Sequence, residues 1–63
     1  MKILTANRLS NGRTVWLAAD HSWADSIEAA EVARDEATRE KLERAGRAAL
    51  IKNEVADVGF VDI

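Results

Sequence analysis

Two short segments near the start of the chain mix apolar and polar residues in a way typical of β-structure, and they flank a pair of turn-forming residues. The segments cover residues 2–9 and 13–19, and Asn11-Gly12 lies between them. Asn and Gly both tolerate the positive φ values that a type I′ turn requires at its two central positions, and this pair is the strongest short-range signal of a hairpin. The pattern therefore predicts an N-terminal β-hairpin that turns at Asn11-Gly12.

A two-residue loop would also fix the register of the hairpin, with Ser10 opposite Arg13. Alternation along each strand then assigns every side chain to one of two faces. The face that we expect to form the core carries Leu4, Ala6, Arg8, Val15, Leu17 and Ala19. The other face carries Ile3, Thr5, Asn7, Leu9, Trp16 and Ala18. Nothing else in the hairpin obliges this second face to be buried, although it includes a tryptophan and two large aliphatic side chains.

The middle of the chain is rich in alanine and charged residues and is typical of helix. Between residues 26 and 51 there is no proline and a single glycine, Gly46. One straight helix over most of this span would be about 37 Å long, which exceeds the size of so small a domain. We therefore expect a short helix over about residues 26–33 and a longer helix over about residues 36–52, with Asp35 as the N-cap of the second. A glycine inside a helix costs about 1 kcal/mol in propensity, which suggests a packing role for Gly46.

Two further segments complete the predicted sheet. Trp23-Ala24 follows a polar break and favours a short strand, and residues 55–62 favour a final strand that returns to pair with the hairpin. In this interpretation residues 1–63 form one small α+β domain. The hairpin strands (about 2–9 and 13–19), the two helices and the last strand would share a single core.

The length and composition of the chain limit how such a domain is stabilised. The chain has 63 residues, and a domain of this size buries only about 60% of the surface that its unfolded form exposes. The sequence contains no cysteine and one histidine, so it can form no disulfide and offers no ligand set for structural zinc. Self-association is the remaining way for a thin core to gain buried surface, and we therefore expect a homodimer.

Charge and hydropathy indicate where the protein is located and which classes of partner it can bind. The opening residues lack the apolar run and the cleavage site of a signal peptide, and no stretch approaches the roughly 18 apolar residues of a membrane span. We therefore expect a cytoplasmic protein with no membrane partner. The formal net charge of -2 comes from interspersed acidic and basic residues, whereas a protein that binds a nucleic-acid backbone needs an uncompensated basic stripe. Nucleic acid is accordingly a weak candidate.

The residue types of several active sites occur in the sequence without the required arrangement. Asp20-His21-Ser22 contains the residues of a hydrolase triad, but sequence neighbours cannot orient their side chains toward one another as a triad requires. The helix carboxylates alternate with basic residues from Arg34 onward, which is typical of a solvated, ion-paired surface. The three glycines are isolated, so no phosphate-binding loop is indicated. We expect no enzyme activity in the monomer, no cofactor and no metal.

The candidate site is therefore a surface. In the predicted register Trp16 lies with Ile3 and Leu9 on the second face of the hairpin, and Trp23 follows shortly afterwards. Tryptophan is enriched at protein interfaces and contributes strongly to their binding energy. We interpret Ile3, Leu9, Trp16 and Trp23 as a candidate interface, in the first place with a second copy of the chain. The competing interpretation is that the final strand or the first helix covers Trp16 within the monomer.

The run from Met1 to Leu9, followed by Asn11-Gly12-Arg13, Val15-Trp16-Leu17 and Trp23, resembles the domain-of-unknown-function family 2849. The similarity continues through the alanine-rich part to the last strand and is specific in the first third of the chain. Members of this family are small proteobacterial proteins that are frequently encoded beside sulfite or nitrite reductase genes of sulfur assimilation. The resemblance implies an accessory role in that system, and it carries over no catalytic residues because none is established for the family.

Three functional hypotheses follow. The leading one is a non-enzymatic, self-associating interaction protein that supports a sulfite or nitrite reductase. The alternative is a small nucleic-acid-binding regulator. The third is an enzyme in which Asp20 and His21 belong to a site that a dimer completes.

Overall fold

Four strands, one 3₁₀ turn and one α-helix make up the computed structural model, which describes all of residues 1–63. Their bounds are β1 (Lys2–Arg8), β2 (Thr14–Leu17), β3 (Trp23–Ala24), the 3₁₀ turn (Ile27–Ala29), α1 (Glu36–Ile51) and β4 (Val55–Asp62). The strands form one antiparallel sheet in the order β3-β2-β1-β4. The predicted α+β class is confirmed, and so are the N-terminal hairpin, the longer helix and the C-terminal strand within the sheet.

The hairpin turns through a longer loop than the predicted one. The Arg8 N–H donates a hydrogen bond of 2.8 Å to the Arg13 carbonyl, so the predicted pairing of Ser10 with Arg13 is wrong by two residues. Gly12 is the only loop residue with a positive φ, at 70°, whereas a type I′ turn requires positive φ at both central residues. Because a shift of two residues leaves every side chain on its own face, the predicted faces of the strands are retained.

The predicted short helix over about residues 26–33 is wrong, except that a single 3₁₀ turn forms near its start. Ser26 is the N-cap of the 3₁₀ turn, and its hydroxyl accepts a hydrogen bond of 3.3 Å from the Glu28 N–H. Ala30 is already extended, with φ of -65° and ψ of 136°, and it ends the turn. A continuing helix would bond the following peptide groups to one another, whereas in this fold the Glu31 and Ala33 amides bond to the sheet.

The segment Ala30–Ala33 lies between the diverging ends of β1 and β2. The Glu31 N–H donates to the Leu17 carbonyl at 2.9 Å, and Lys2 and Ala33 exchange two backbone hydrogen bonds of 3.2 and 2.7 Å. At the start of β1 and the end of β2, where the two strands no longer pair with each other, these bonds satisfy the free peptide groups. Tertiary pairing therefore overrides the helical propensity of this alanine-rich segment.

The caps of α1 follow from polar residues at its two ends. The Asp35 carboxylate accepts a hydrogen bond of 2.8 Å from the Thr38 N–H, as predicted for an N-cap, and this bond lowers the pKa of Asp35. At the other end Asn53 adopts a φ of 62°, and the Glu54 N–H then reaches the Ala49 carbonyl at 3.0 Å. The chain can therefore turn from α1 into β4 within three residues.

Most of the core lies between α1 and one face of the sheet, in two clusters. The first contains Leu4, Leu17, Ala33 and Leu42. The second contains Ala6, Val15, Ala49 and Val55. Trp23 and Val58 pack against both clusters and connect them.

Gly46 allows α1 to approach the sheet closely. A Cβ atom at this position would lie 2.7 Å from Leu4 Cδ2 and 3.0 Å from Val58 Cγ1. The predicted packing role of this glycine is confirmed, because any side chain would displace two core residues.

β4 pairs with β1 through a β-bulge. Thr5 pairs with Gly59 and Asn7 pairs with Ala56, so β4 has one extra residue between these two pairs. Asp57 within the bulge has a φ of 54°, and its carboxylate accepts a hydrogen bond of 3.2 Å from the Asn7 side-chain amide. A bulge interrupts regular pairing and bends its strand, so the regular part of β4 begins after Asp57.

Candidate functional site

The four residues of the predicted interface do not lie on one surface. Ile3 is 2% exposed and lies opposite Val61 in the sheet. Leu9 is 52% exposed and belongs to the hairpin loop. Trp16 is half-buried on the face of the sheet that points away from α1, and Trp23 is half-buried on the face that α1 covers.

The two tryptophans have different surroundings. Trp23 lies in the edge strand β3 and packs against both core clusters. Trp16 lies between Thr5 and Ala24 across the sheet, and the 3₁₀ turn contacts its strand. Trp23 is therefore a core residue, whereas Trp16 retains some exposure on the far face of the sheet.

Asp20, His21 and Ser22 form the turn between β2 and β3. Ser22 donates to the Asp20 carboxylate from its hydroxyl at 2.6 Å and from its N–H at 3.0 Å, and these bonds lower the pKa of Asp20. His21 is exposed with a φ of 66°, and its side chain makes no hydrogen bond. In a catalytic triad the imidazole stands between the carboxylate and the hydroxyl. Here the carboxylate binds the hydroxyl directly, so the segment is built as a turn.

The exposed face of α1 carries alternating charges in contact with one another. Arg39 contacts Glu36 and also Glu43, the latter at 2.9 Å, and these carboxylates raise the pKa of Arg39 above its ordinary value. Arg47 contacts Glu43 at 3.1 Å. The four residues form a network without net charge, which is unlike the uncompensated positive surface of a nucleic-acid-binding protein.

β4 forms one edge of the sheet, and its outer side has no neighbouring strand. Lys2 directs its N–H and C=O toward Ala33, away from β4, so Asp62 opposite Lys2 directs its own peptide groups outward. Alternation gives the peptide groups of Phe60 the same outward direction, and the Val58 carbonyl also points outward because the Gly59 N–H in the same peptide faces β1. Three residues of β4 thus present unpaired backbone donors and acceptors, and we call this side of the strand the β4 edge.

A groove runs along the β4 edge on the side of α1. Its lining residues are Leu4, Glu43, Arg47, Leu50, Val58, Gly59 and Phe60. Leu50 is 45% exposed, and the Arg39 guanidinium lies 5.7 Å from the centre of the half-buried Phe60 ring. The groove therefore combines an apolar floor with charged groups at its rim.

The opposite face of the same edge is also apolar. Val61 is 43% exposed and Ile63 is 59% exposed. The Ile63 N–H donates to the Met1 carbonyl at 3.0 Å, which places the 62% exposed Met1 beside them. Apolar side chains thus flank the unpaired peptide groups of β4 on both faces.

The β4 edge is a candidate site that the sequence analysis did not identify. The sequence feature that indicates this edge is that the last strand is apolar on both faces. Val58 and Phe60 occupy one face, and Val61 and Ile63 occupy the other. A strand that is apolar on both faces is either buried on both sides or exposed at an interface. The sequence did not reveal which strands would lie at the edges of the sheet, so it could not decide between these two cases.

The fold and the β4 edge define a small α+β domain with an antiparallel sheet, one covering helix and one long unpaired edge strand. The chain matches the family described as "Protein of unknown function (DUF2849)" over residues 2–63, and it belongs to this family. The resemblance inferred from the sequence is thereby confirmed. No curated protein and no solved structure matches the chain. Its one α-helix is too short and too polar to cross a membrane.

Proposed function

We propose that this protein is a non-enzymatic accessory protein that acts in the cytoplasm by binding other protein chains, including a second copy of itself. The observation that carries the proposal is the β4 edge. A strand with unpaired donors and acceptors and flanking apolar side chains is the type of surface to which another protein adds a strand.

The exposed apolar side chains beside this edge support self-association. Leu50, Val61 and Ile63 each retain more than two-fifths of their surface in the monomer. Burial of apolar surface contributes about 25 cal/mol per Å², so a contact that covers these residues adds stability that the thin core does not supply.

The class of partner is inferred from the family. The family resemblance implies an accessory role beside sulfite or nitrite reductases, and on that basis we propose that the bound partner is a component of such a reductase system. Strand addition uses backbone groups for affinity and leaves specificity to a few side chains in the groove, so a reductase component that binds the β4 edge would do so in place of a second copy.

The two competing classes have less support. The Asp20 carboxylate accepts its hydrogen bonds from Ser22 rather than from His21, whereas the enzyme hypothesis needs Asp20 and His21 to act together. The nucleic-acid hypothesis needs an uncompensated basic surface, whereas the formal net charge is -2 and Arg39 and Arg47 contact carboxylates. A mobility-shift experiment with mixed DNA and RNA at low salt tests the second class, and we expect no shift.

Self-association is tested by the mass and the thermal stability of the purified chain. We expect sedimentation to give a dimer of the 6.9 kDa chain and the Tm to rise with protein concentration, because dimerisation is coupled to folding by mass action. Trp16→Ser, on the far face of the sheet, should retain the dimer. A monomeric mass together with a Tm that does not change with concentration would contradict self-association.

The accessory role is tested by affinity purification from the native host. We expect the tagged chain to recover a component of a sulfite or nitrite reductase, and an unrelated tagged protein of similar size and charge to recover none. Failure to recover any reductase component would remove this part of the proposal.

A further inference from the structure

We infer that two copies of this chain join their β4 edges, antiparallel to each other, about a two-fold axis that passes beside Phe60. The inference rests on the proposed function in one respect, namely that the chain binds a second copy of itself. The inference goes further because it specifies which strand forms the dimer contact, the register of the pairing and the ion pairs between the two copies.

The β4 edge is self-complementary in its hydrogen-bonding groups. Its outward residues Val58, Phe60 and Asp62 are symmetric about Phe60, so each has a partner when the axis passes there. Phe60 pairs with its own copy, and Val58 of each chain pairs with Asp62 of the other. Every such pair exchanges two backbone hydrogen bonds, as in any antiparallel ladder. An axis at Gly59 would leave Asp62 unpaired, because its partner would fall beyond the bulge at Asp57.

The side chains on the two faces fit the same register. On the face away from α1, Gly59 of one copy lies opposite Val61 of the other. A Cβ at Gly59 would have no atom within 4 Å, and Val61 is 43% exposed, so the glycine leaves room for the valine. On the face of α1 the two Phe60 side chains meet as a cross-strand aromatic pair.

The register also brings opposite charges together. The Asp62 side chain is 80% exposed, and its contact with Lys2 is long, at 3.9 Å. Opposite Asp62 lies Val58 of the other copy, which lines the groove together with Arg47. The Arg47 side chain is 69% exposed and contacts Glu43 through one nitrogen, so it has further donors for the incoming Asp62 carboxylate. The two-fold axis produces this ion pair twice, and the charge complementarity identifies a second copy as the occupant of the groove.

Introduced cysteines test the register, because the chain has no cysteine of its own. Gly59→Cys and Val61→Cys in one chain would face each other across the axis as a non-hydrogen-bonded pair, whose Cα separation of about 4.5 Å suits a disulfide. We expect oxidation with diamide to convert this double variant into a covalent dimer, and each single variant to stay uncrosslinked. Rapid linkage of Gly59→Cys alone would place the axis at residue 59 and overturn the register. Absence of linkage in the double variant would also overturn it.

Asp62→Pro tests whether the β4 edge forms the contact. The N–H of residue 62 points away from β1, so proline removes no hydrogen bond within the chain, but it removes a donor from the dimer and obstructs the partner strand. We expect an unchanged circular dichroism spectrum and a dimer Kd that rises by roughly a hundredfold or more. The matched variant Asp62→Ala loses only the carboxylate and should raise the Kd by roughly tenfold. Dimerisation of a folded Asp62→Pro variant as tight as that of the natural chain would overturn the proposal.

A charge exchange tests the predicted ion pair. Asp62→Arg should weaken the dimer by more than Asp62→Ala does, because it places two cations together. Addition of Arg47→Glu to the same chain should restore most of the affinity, since every copy then supplies both reversed partners. A double variant that is as weak as Asp62→Arg alone would contradict the contact between these residues.

These experiments separate failure of the register from failure of the proposed function. A dimer that Asp62→Pro does not disturb and that Trp16→Ser abolishes would confirm self-association and overturn the inference, because the contact would lie on the far face of the sheet. A chain that is monomeric at all concentrations would overturn the inference and the self-association together. The recovery of a reductase component is measured independently of both.

Discussion

Gly46 shows how one residue sets the distance between α1 and the sheet. Gly46→Ala gains about 1 kcal/mol in helix propensity, but its methyl group would lie too close to Leu4 and Val58, and the displacement of these side chains costs about 1–3 kcal/mol. We expect a net decrease of about 1 kcal/mol in the free energy of unfolding, measured by urea denaturation.

The exposed Ala48 on the same helix provides the control for this prediction. Ala48→Gly should cost about 1 kcal/mol through propensity alone, without any change in packing. If Gly46→Ala is more stable than the natural chain, α1 moves away from the sheet more easily than the close contacts of Gly46 indicate.

The carboxylate of Asp35 makes the stability of α1 dependent on pH. Its bond to the Thr38 N–H lowers its pKa below the ordinary value of 3.8, so the ionised form stabilises the folded state. This contribution is complete above the unfolded pKa and is lost as the pH falls through the lower folded pKa. Asp35→Asn keeps the accepting oxygen without the charge, so its free energy of unfolding should fall less steeply than that of the natural chain.

Urea denaturation at several pH values between about 2 and 5 measures this difference. A residual dependence on pH is expected in both proteins, because hydrogen bonds also lower the pKa values of Asp20 and Glu36. Identical pH dependence of the two proteins would show that the cap contributes equally in both protonation states.

At the scale of elements, the segment Ala30–Ala33 behaves as a strand even though its sequence favours helix. The amides of Glu31 and Ala33 donate to carbonyls of β2 and β1, whereas the Val32 amide makes no backbone bond. We therefore expect slow hydrogen exchange at residues 31 and 33 and fast exchange at residue 32. A helix would instead protect consecutive amides, so protection of all three would contradict the extended structure.

The elements that the sequence predicted well are those determined by local chemistry. Asp35 caps α1 because its side chain reaches a nearby amide, and the bounds of α1 and β4 follow from local patterns. The hairpin faces survived an error of two residues in register, because side-chain alternation has a period of two. The segment Ala30–Ala33 could not be predicted, because its structure depends on peptide groups of Lys2 and Leu17 that are remote in sequence.

At the scale of the whole molecule, Trp23 connects the two halves of the core. For 63 residues the expected total stability is only about 3–9 kcal/mol. Trp23→Ala should remove about 2–3 kcal/mol of it, because a half-buried tryptophan makes fewer contacts than the fully buried ones that cost about 3–5 kcal/mol.

Trp16→Ala is the natural comparison, because Trp16 is half-buried outside both clusters. Its effect on the free energy of unfolding should be smaller, and urea denaturation of the two variants measures the difference. Equal losses would show that the far face of the sheet contributes as much to stability as the face that packs against α1.

The candidate site was less predictable than the fold. The predicted register placed Trp16 on one face, but Trp23 was grouped with it only because it follows shortly along the chain, and the observed registers place the two on opposite faces of the sheet. The β4 edge depends on the spatial order of the strands, which follows from the return of the last strand to the outer side of β1. This order is set by long-range pairing, and no short motif encodes it.

The other edge of the sheet is β3, which is only two residues long. A strand of this length offers too few free peptide groups to template the growth of a larger sheet, and short edge strands are one device by which natural proteins avoid aggregation. Once two β4 edges are joined, only these short strands remain at the ends of the combined sheet. The assembly would then be finite, which allows a chain with an apolar edge to remain dispersed at high concentration and resist conversion into fibres.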